Sequence, residues 1–445
     1  MLRYEQQVIN LLVDKSVVPL DVVFIRVKPG HPKEVLNLMT PSPPPPSSFF
    51  DDAAVRDGLA DHFLADHTVQ YAGSSFILPE MRIEGGLHLT NFTESLNKVG
   101  AFGTGMWRYW RRGEPAPESN DLVQKLYAFT GGRSNDILFR ILDSRRKEAD
   151  LKFDFDESGL VTDAGISDRS IEDVVRTLKE DGVVVIPPRL KRETVQDLYE
   201  LALSCPLTTT TFAPVPTDHV PGTQTTLPIA GTGTSNGIDP SDPRHSTYMV
   251  PRSLLLENYN VQSLLCDPYL LAVATRYLGV FPVITKPDMW WDTDFLPQGL
   301  RPRPFHVDSG CLRWIKVGIN LTHTTIESPH FVFVKGSHNP NRTTGPLIRR
   351  LGSRMNLSDK EVNDVCPEKI VHVTAPAGSI TLADTRGIHK GELSMRGPRL
   401  ILYFGLEGSA FNNIDKPMPL NKEKVGSNLA KAMTARPFSY QFFSC

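Results

Sequence analysis

Cysteine is scarce in this chain. There are five in 445 residues (Cys205, Cys266, Cys311, Cys366 and Cys445), an odd number with no Cys-x-x-Cys pair. That argues against a disulfide framework and against a cysteine zinc site, and it fits a reducing, cytoplasmic setting. An excess of either charge is also missing: 48 basic residues face 50 acidic ones, for a formal net charge of −2. No nucleic-acid or anionic-membrane partner is therefore expected. No apolar run approaches the ~20 residues that a membrane span needs. Residues 1–15 carry acidic and amide side chains inside their apolar pattern, so a secretory leader is not expected. The Asn-x-Ser/Thr triplets, such as Asn91-Phe92-Thr93, then read as chance matches. What is present is an ordinary apolar content of 40%. The length suffices for two or three domains with a large core.

Taken in order, residues 4–14 show a helical apolar period and residues 17–27 are rich in β-branched side chains. The proline-rich run at 40–48 reads as a stiff, PPII-like linker. Phe102-Gly103-Thr104-Gly105 reads as a glycine loop ahead of a packing and basic segment, Met106 to Arg112. Its glycines do not follow the order of a dinucleotide-binding fingerprint. Residues 1–160 form an α+β N-terminal region with no assigned role. From about 165 the pattern sharpens. Ile171, Val174, Val175 and Leu178 predict an amphipathic helix, stopped at Asp181-Gly182 and followed by a short buried strand, Val183 to Ile186. Residues 206–247 are rich in Thr, Pro and Gly without periodicity, which reads as a long loop, either a lid or disordered. Asp267-Pro268 predicts a capped helix start and Gly279 its end. Short apolar runs separated by Gly, Pro and Asn then continue to about 404. They predict a mainly β domain with flanking helices, of jelly-roll type, over 165–410. Residues 411–445 are a C-terminal extension.

The chemistry centres on Phe305-His306-Val307-Asp308. Side chains two apart in an extended segment share a face, so His306 and Asp308 can converge. His389 follows some 80 residues later in Asp384-Thr385-Arg386-Gly387-Ile388-His389. Two histidines and one carboxylate, with the other positions open, form the facial triad of non-haem Fe(II) oxygenases. Arg399 stands ten positions further on. A buried arginine needs an anionic partner, and its fork suits a carboxylate.

Together these segments resemble the phytanoyl-CoA dioxygenase-like Fe(II)/2-oxoglutarate oxygenases. The resemblance is carried by Asp181 to Pro187, Asp267 to Gly279, Trp290-Trp291, Phe305 to Asp308, Lys316 to Thr322, Phe333 to His338 and Ala383 to Gly391, ending at Arg399. It covers about 165–410. It implies a double-stranded β-helix (jelly-roll or cupin-like) core, with His306, Asp308 and His389 holding Fe(II). Arg399 would bind the distal carboxylate of the 2-oxoglutarate cosubstrate, with Asn320 and Thr381 as further cosubstrate contacts. The implied outcome is O2-dependent oxidation of a small molecule, coupled to release of succinate and CO2. Lys390-Gly391 follows His389, so the hydroxyl that some members carry there is missing. The carboxylate at Asp308 disfavours the related halogenases. Substrate contacts are expected from 206–247, from Trp290 and Trp291, and from the Asp292–Pro304 loop, with Arg244, His245 and Arg303 as candidates for an anionic group. A loop-ordering hydrogen bond is expected of His338. Two other readings remain: a non-catalytic β-helix scaffold, and a cupin-like metal enzyme that does not use 2-oxoglutarate. The oligomeric state is left open.

Overall fold

The described residues fall into two units, Met1–Ala101 and Phe102–Cys445. The structure, a computed structural model, describes residues 63–71, 74–81, 89–143, 159–161, 168–213, 229–296, 303–340, 343–351, 356–393 and 396–444. The helix expected at 4–14, the strands at 17–27 and the proline run at 40–48 lie outside them. In the first unit β1 (Phe63–Tyr71) and β2 (Ser74–Met81) form an antiparallel hairpin, with a register irregularity between Phe63 and Asp66.

Helix α1 (Leu89–Arg112) corrects one expectation, because it runs straight through the glycines at 103 and 105. Packing explains this. A Cβ at Gly105 would come within 2.8 Å of Ala116 Cβ, so the glycine permits a close approach rather than a turn. Further along the helix, the Tyr109 hydroxyl donates to Asp143 Oδ1 and accepts from Ser409 Oγ. Helices α2 (Asn120–Phe129) and α3 (Arg133–Leu142) follow.

Next come α4 (Asp168–Asp181), β3 (Val183–Ile186), α5 (Arg192–Ser204), β4 (Pro206–Phe212), β5 (Ile229–Asn236) and β6 (Thr247–Met249). Gly182 ends α4 with φ +80°, and a Cβ there would lie 2.3 Å from His338 Nδ1. The 206–247 segment differs from the expected loop. β4 and β5 pair antiparallel, and β4 also pairs with β6. The signal was the β-branched run Thr208 to Thr211. Threonine fills both faces of β4, so its alternating burial leaves no apolar pattern, and β5 is a solvent-exposed edge strand.

Helix α6 (Pro268–Leu278) starts as its sequence suggests. Asp267 accepts from the backbone N–H of Tyr269 and Leu270, Pro268 fills the first turn, and Gly279 closes the helix at φ +79°. Besides a short parallel pair, Met418–Pro419 with Phe443–Ser444, the further strands are β7 (Val283–Ile284), β8 (Asp288–Asp292), β9 (Trp314–Asn320), β10 (His330–Val334), β11 (Ile370–Val373), β12 (Ile380–Ala383), β13 (His389–Glu392) and β14 (Arg399–Glu407). They build two antiparallel sheets. The larger has nine strands in the order β3-β12-β9-β14-β8-β6-β4-β5, with β7 beside β14, and the smaller is β11-β10-β13.

Period-two alternation sorts the side chains of the large sheet. Ile315, Val317 and Ile319 of β9, Ile380 and Leu382 of β12, and Leu400, Leu402, Phe404 and Leu406 of β14 join the main core with Met289, Trp291 and Tyr248. This face packs against the helices, where α6 lies beside α4 and β14. The register pairs the other residues on the opposite face: Lys316 with Ala383 and Gly405, Gly318 with Thr381 and Tyr403, Asn320 with Ile401, and Arg399 with Asp292. That second face meets the small sheet, since Val183 and Ala383 pack with Phe333 and Val373. The arrangement is consistent with a double-stranded β-helix, and the polar residues of the large sheet point into the space between the layers.

Candidate metal centre

Two sheets alone do not bring His306, Asp308 and His389 together. His306 lies before β9, joined to the head of β13 by an isolated antiparallel bridge in which His306 and His389 exchange backbone hydrogen bonds of 2.9 Å. Asp308 is fixed by its own N–H donating to the Thr385 carbonyl at 2.8 Å. One ligand atom from each of the three residues lies within 4.8 Å of the others. His306 Nε2 is 4.0 Å from Asp308 Oδ1, and His389 Nε2 is 3.5 Å from Asp308 Oδ2.

The back of each ring is held by a carbonyl. His306 Nδ1 lies 3.2 Å from the Pro304 oxygen, and His389 Nδ1 lies 2.9 Å from the Gly387 oxygen. A carbonyl can only accept, which assigns the proton to Nδ1 in both rings and leaves both Nε2 lone pairs facing Asp308. This is how metal-binding histidines are generally oriented. Burial, and then the neighbouring His306, push His389 down to about 3, so it stays neutral at ordinary pH. Burial would raise the Asp308 carboxyl. The Lys316 ammonium and a hydrogen bond from Thr385 offset this and hold it well below the usual carboxylate range. The Thr385 bond is 2.7 Å, from Oγ1 to Asp308 Oδ2. Two imidazoles with Nε2 turned inward and one ionised carboxylate form a donor set suited to a divalent transition metal with open positions.

The loop that carries Thr385 and His389 is braced from below. Arg386 donates to Asp384 through Nε at 2.9 Å and Nη2 at 2.6 Å, and through Nη1 to Asp136 at 3.2 Å and the Leu312 carbonyl at 3.0 Å. The Tyr277 hydroxyl donates to Asp384 at 2.7 Å, and the Tyr127 hydroxyl to the Arg386 carbonyl at 2.5 Å. Sequence reasoning did not single out these residues. The i, i+2 pair Asp384 and Arg386 was a legible signal, whereas Asp136 lies 250 positions from Arg386. His338 makes a loop-ordering bond of the kind expected, its Nε2 lying 3.2 Å from the Lys179 carbonyl.

Arg399 is buried on the inter-sheet face. Its Nη2 donates to Asp292 Oδ2 at 2.8 Å, while among the described residues its buried Nε–H has no acceptor. Asp292 also accepts from Trp290 Nε1 at 3.1 Å and from Arg303 Nη2 at 3.2 Å. Burial would raise the Asp292 carboxyl, and Arg303 and Arg399 hold it low. Asn320 and Thr381 are buried on the same face. Trp290 stacks on Tyr403 with ring centroids 4.8 Å apart. Arg303 passes over Gly391, where a Cβ would meet its Nη1 at 2.9 Å, and covers the Phe212 ring at 5.5 Å.

Three expected substrate residues are not brought to this space. Trp291 points to the helix side, where its Nε1 donates to the Ala202 carbonyl and its ring meets Tyr199. Strand alternation forces this once Trp290 faces inward. His245 pairs with Thr211 Oγ1 and packs its ring on Tyr248, a residue of the helix-side core. The Arg244 side chain is exposed and paired with Asp242 at 2.5 Å. Lys390, next to His389, is buried against Asp359, Glu392 and the Phe305 ring. Among the described residues no helix is long and apolar enough to cross a membrane.

No protein-family model matches the chain, and no curated protein does. Solved structures do resemble it. The non-haem α-ketoglutarate-dependent carbocyclase SnoK from nogalamycin biosynthesis is 18% identical, over 55% of this chain and 85% of that one, with a TM-score of 0.35. The epimerase SnoN of the same biosynthesis, solved with Fe3+, α-ketoglutarate and nogalamycin RO, is 17% identical over 54% and 85%, also at 0.35. EctD from S. alaskensis with bound Fe is 16% identical over 59% and 85%, at 0.32. Likeness at this level identifies neither a reaction nor a substrate.

Proposed function

We propose that this chain is an Fe(II)/2-oxoglutarate-dependent oxygenase of the phytanoyl-CoA dioxygenase-like type, with a double-stranded β-helix core, acting on a small molecule. The observation that carries the reading is the convergence of His306, Asp308 and His389 beside a buried arginine with an unused donor. His306 Nε2, His389 Nε2 and an Asp308 oxygen would hold the metal. The Nε–H of Arg399 is the natural partner for the distal carboxylate of 2-oxoglutarate, and Asn320 and Thr381 line the same face. When bound, iron and the keto acid supply, with O2, an oxidant able to break an unactivated C–H bond, with succinate and CO2 released.

The chain's own residues prepare that chemistry. The Pro304 and Gly387 carbonyls fix the histidine tautomers, Thr385 holds one carboxylate oxygen of Asp308, and the Arg386 network holds Thr385 in place. One observation favours a second reading, a metal enzyme that does not use 2-oxoglutarate: Arg399 already has a carboxylate partner in Asp292. Succinate formation by the purified protein separates the two. The proposal expects turnover that requires added Fe(II) and is lost in His306→Ala and Asp308→Ala. Metal-dependent oxidation of a substrate without keto-acid consumption would favour the second reading.

A further inference from the structure

Lys316 occupies an unusual place. It lies on β9 with Ala383 of β12 on one side and Gly405 of β14 on the other. Small cross-strand neighbours leave the ammonium standing clear of the sheet. Its Nζ lies 3.7 Å from Asp308 Oδ2, the oxygen that also accepts from Thr385 and faces His389. Two aromatic rings flank it, Trp314 at 5.7 Å and Tyr403 at 5.4 Å, and the Cys311 thiol lies close enough to feel its charge. A third of the side chain remains accessible (33%), more than for any other charged group on this face.

The charges in this space do not balance once a divalent metal is present. Arg399 and Arg303 both pair with Asp292, so two cations share one carboxylate. Among the described residues Lys316 pairs only with Asp308, the carboxylate that would also hold a metal. Among the described charged side chains on this face, with Glu407 set aside because burial pushes it up to about 7 and Asn413 and Cys311 hold it, the three cations and a divalent metal then exceed the two carboxylates by three charges. A 2-oxoglutarate dianion removes two of them. One positive charge is left, and Lys316 is the cation without an anion of its own. An uncompensated charge in a space closed by two sheets is costly unless an anion fills it.

We propose that Lys316 is a specificity-determining residue that selects a substrate bearing a single negative charge, such as a carboxylate, with the Trp314 and Tyr403 rings flanking the group it binds. The inference rests on the oxygenase reading and names its substrate class. Lys316 is a compact point charge on a flexible stem, suited to an anion whose position varies between substrates.

The test uses the full chain loaded with Zn(II), which does not activate O2, and 2-oxoglutarate. A fragment set of matched pairs, carboxylates against their primary amides, is screened by ligand-observed NMR. The expected result is an excess of carboxylate binders in the wild type, with affinities weakened at least about tenfold in Lys316→Met and retained in Lys316→Arg. The affinity for 2-oxoglutarate, measured by calorimetry, is expected to change by less than about threefold in Lys316→Met. Equal binding of acids and amides by a wild type that takes up both Zn(II) and 2-oxoglutarate overturns this inference alone. So does a preference that persists in Lys316→Met, or a loss of 2-oxoglutarate binding in that variant, which would make Lys316 a cosubstrate residue. A wild type that binds neither Zn(II) nor 2-oxoglutarate overturns the oxygenase reading and this inference with it.

Discussion

Replacing Arg399 by methionine probes two properties at once, and the structure says how to separate them. The guanidinium is buried, and so is its partner Asp292. Removing one member of a buried pair costs about 3–5 kcal/mol, because the other charge is stranded. Here Asp292 keeps a second partner, Arg303 at 3.2 Å, so the loss should fall at the low end, about 3 kcal/mol. Cosubstrate binding should suffer independently. A hydrogen bond from a charged donor contributes about 1.5–3 kcal/mol, which predicts a fall in 2-oxoglutarate affinity of roughly 10- to 150-fold. Urea unfolding reads the first effect, and calorimetric titration of 2-oxoglutarate into the metal-loaded protein reads the second. The double variant Arg399→Met/Asp292→Leu removes the stranded carboxylate but also the partner of the partly exposed Arg303, and is expected to recover part of the stability, yet none of the affinity. Unchanged 2-oxoglutarate affinity in Arg399→Met would refute the assignment of its free Nε–H. Recovery of affinity in the double variant would show that the loss came from unfolding alone.

Two other outcomes follow from the buried polar groups. Burial pushes Glu407 up to about 7, although Asn413 donates to both of its oxygens and Cys311 to one. A carboxyl raised in the folded state binds protons there that the unfolded chain has already lost. Stability should therefore fall between about pH 4.5 and 7, by roughly 3 kcal/mol, and stay low above that range. Glu407→Gln should remove this fall in urea titrations across that range, and a slope of the same size in the variant would locate its cause elsewhere. Thr385→Val keeps the shape of a fully buried side chain and deletes its 2.7 Å bond to Asp308. Metal affinity should drop roughly 10- to 100-fold with little change in fold; wild-type affinity by competition with a chelating dye would remove Thr385 from the site.

Local chemistry in this chain was readable from sequence and long-range closure was not. The helix over 268–278 announces itself through Asp267, Pro268 and Gly279, each of which acts within a few residues. The convergence of His306 and Asp308 was legible because both lie on one short extended segment. Lys316 was visible too, since its parity with Gly318 and Asn320 places it on the polar face of β9. The opposite faces of Trp290 and Trp291 follow from the same alternation, but only the burial of Tyr248 and Met289 tells which face is the helix side. The strands β4 and β5 were hidden for different reasons: threonine fills both faces of β4, whose burial does alternate, and the exposed edge β5 has no apolar period to detect. The glycines of α1 misled because a close approach to Ala116 and a loop look alike in one dimension. Asp136, which braces the loop of His389 through Arg386, belongs to a region that carried no signal of its own.

The central claim is that His306, Asp308 and His389 form one metal site that works with 2-oxoglutarate. Anaerobic titration of Fe(II) into the protein with saturating 2-oxoglutarate tests it most directly, by following the visible charge-transfer absorption of a chelated keto acid. The account predicts a band that saturates at one iron per chain and is absent in Asp308→Ala and His389→Ala. Stoichiometric iron without the band, or a band that survives both substitutions, would contradict it.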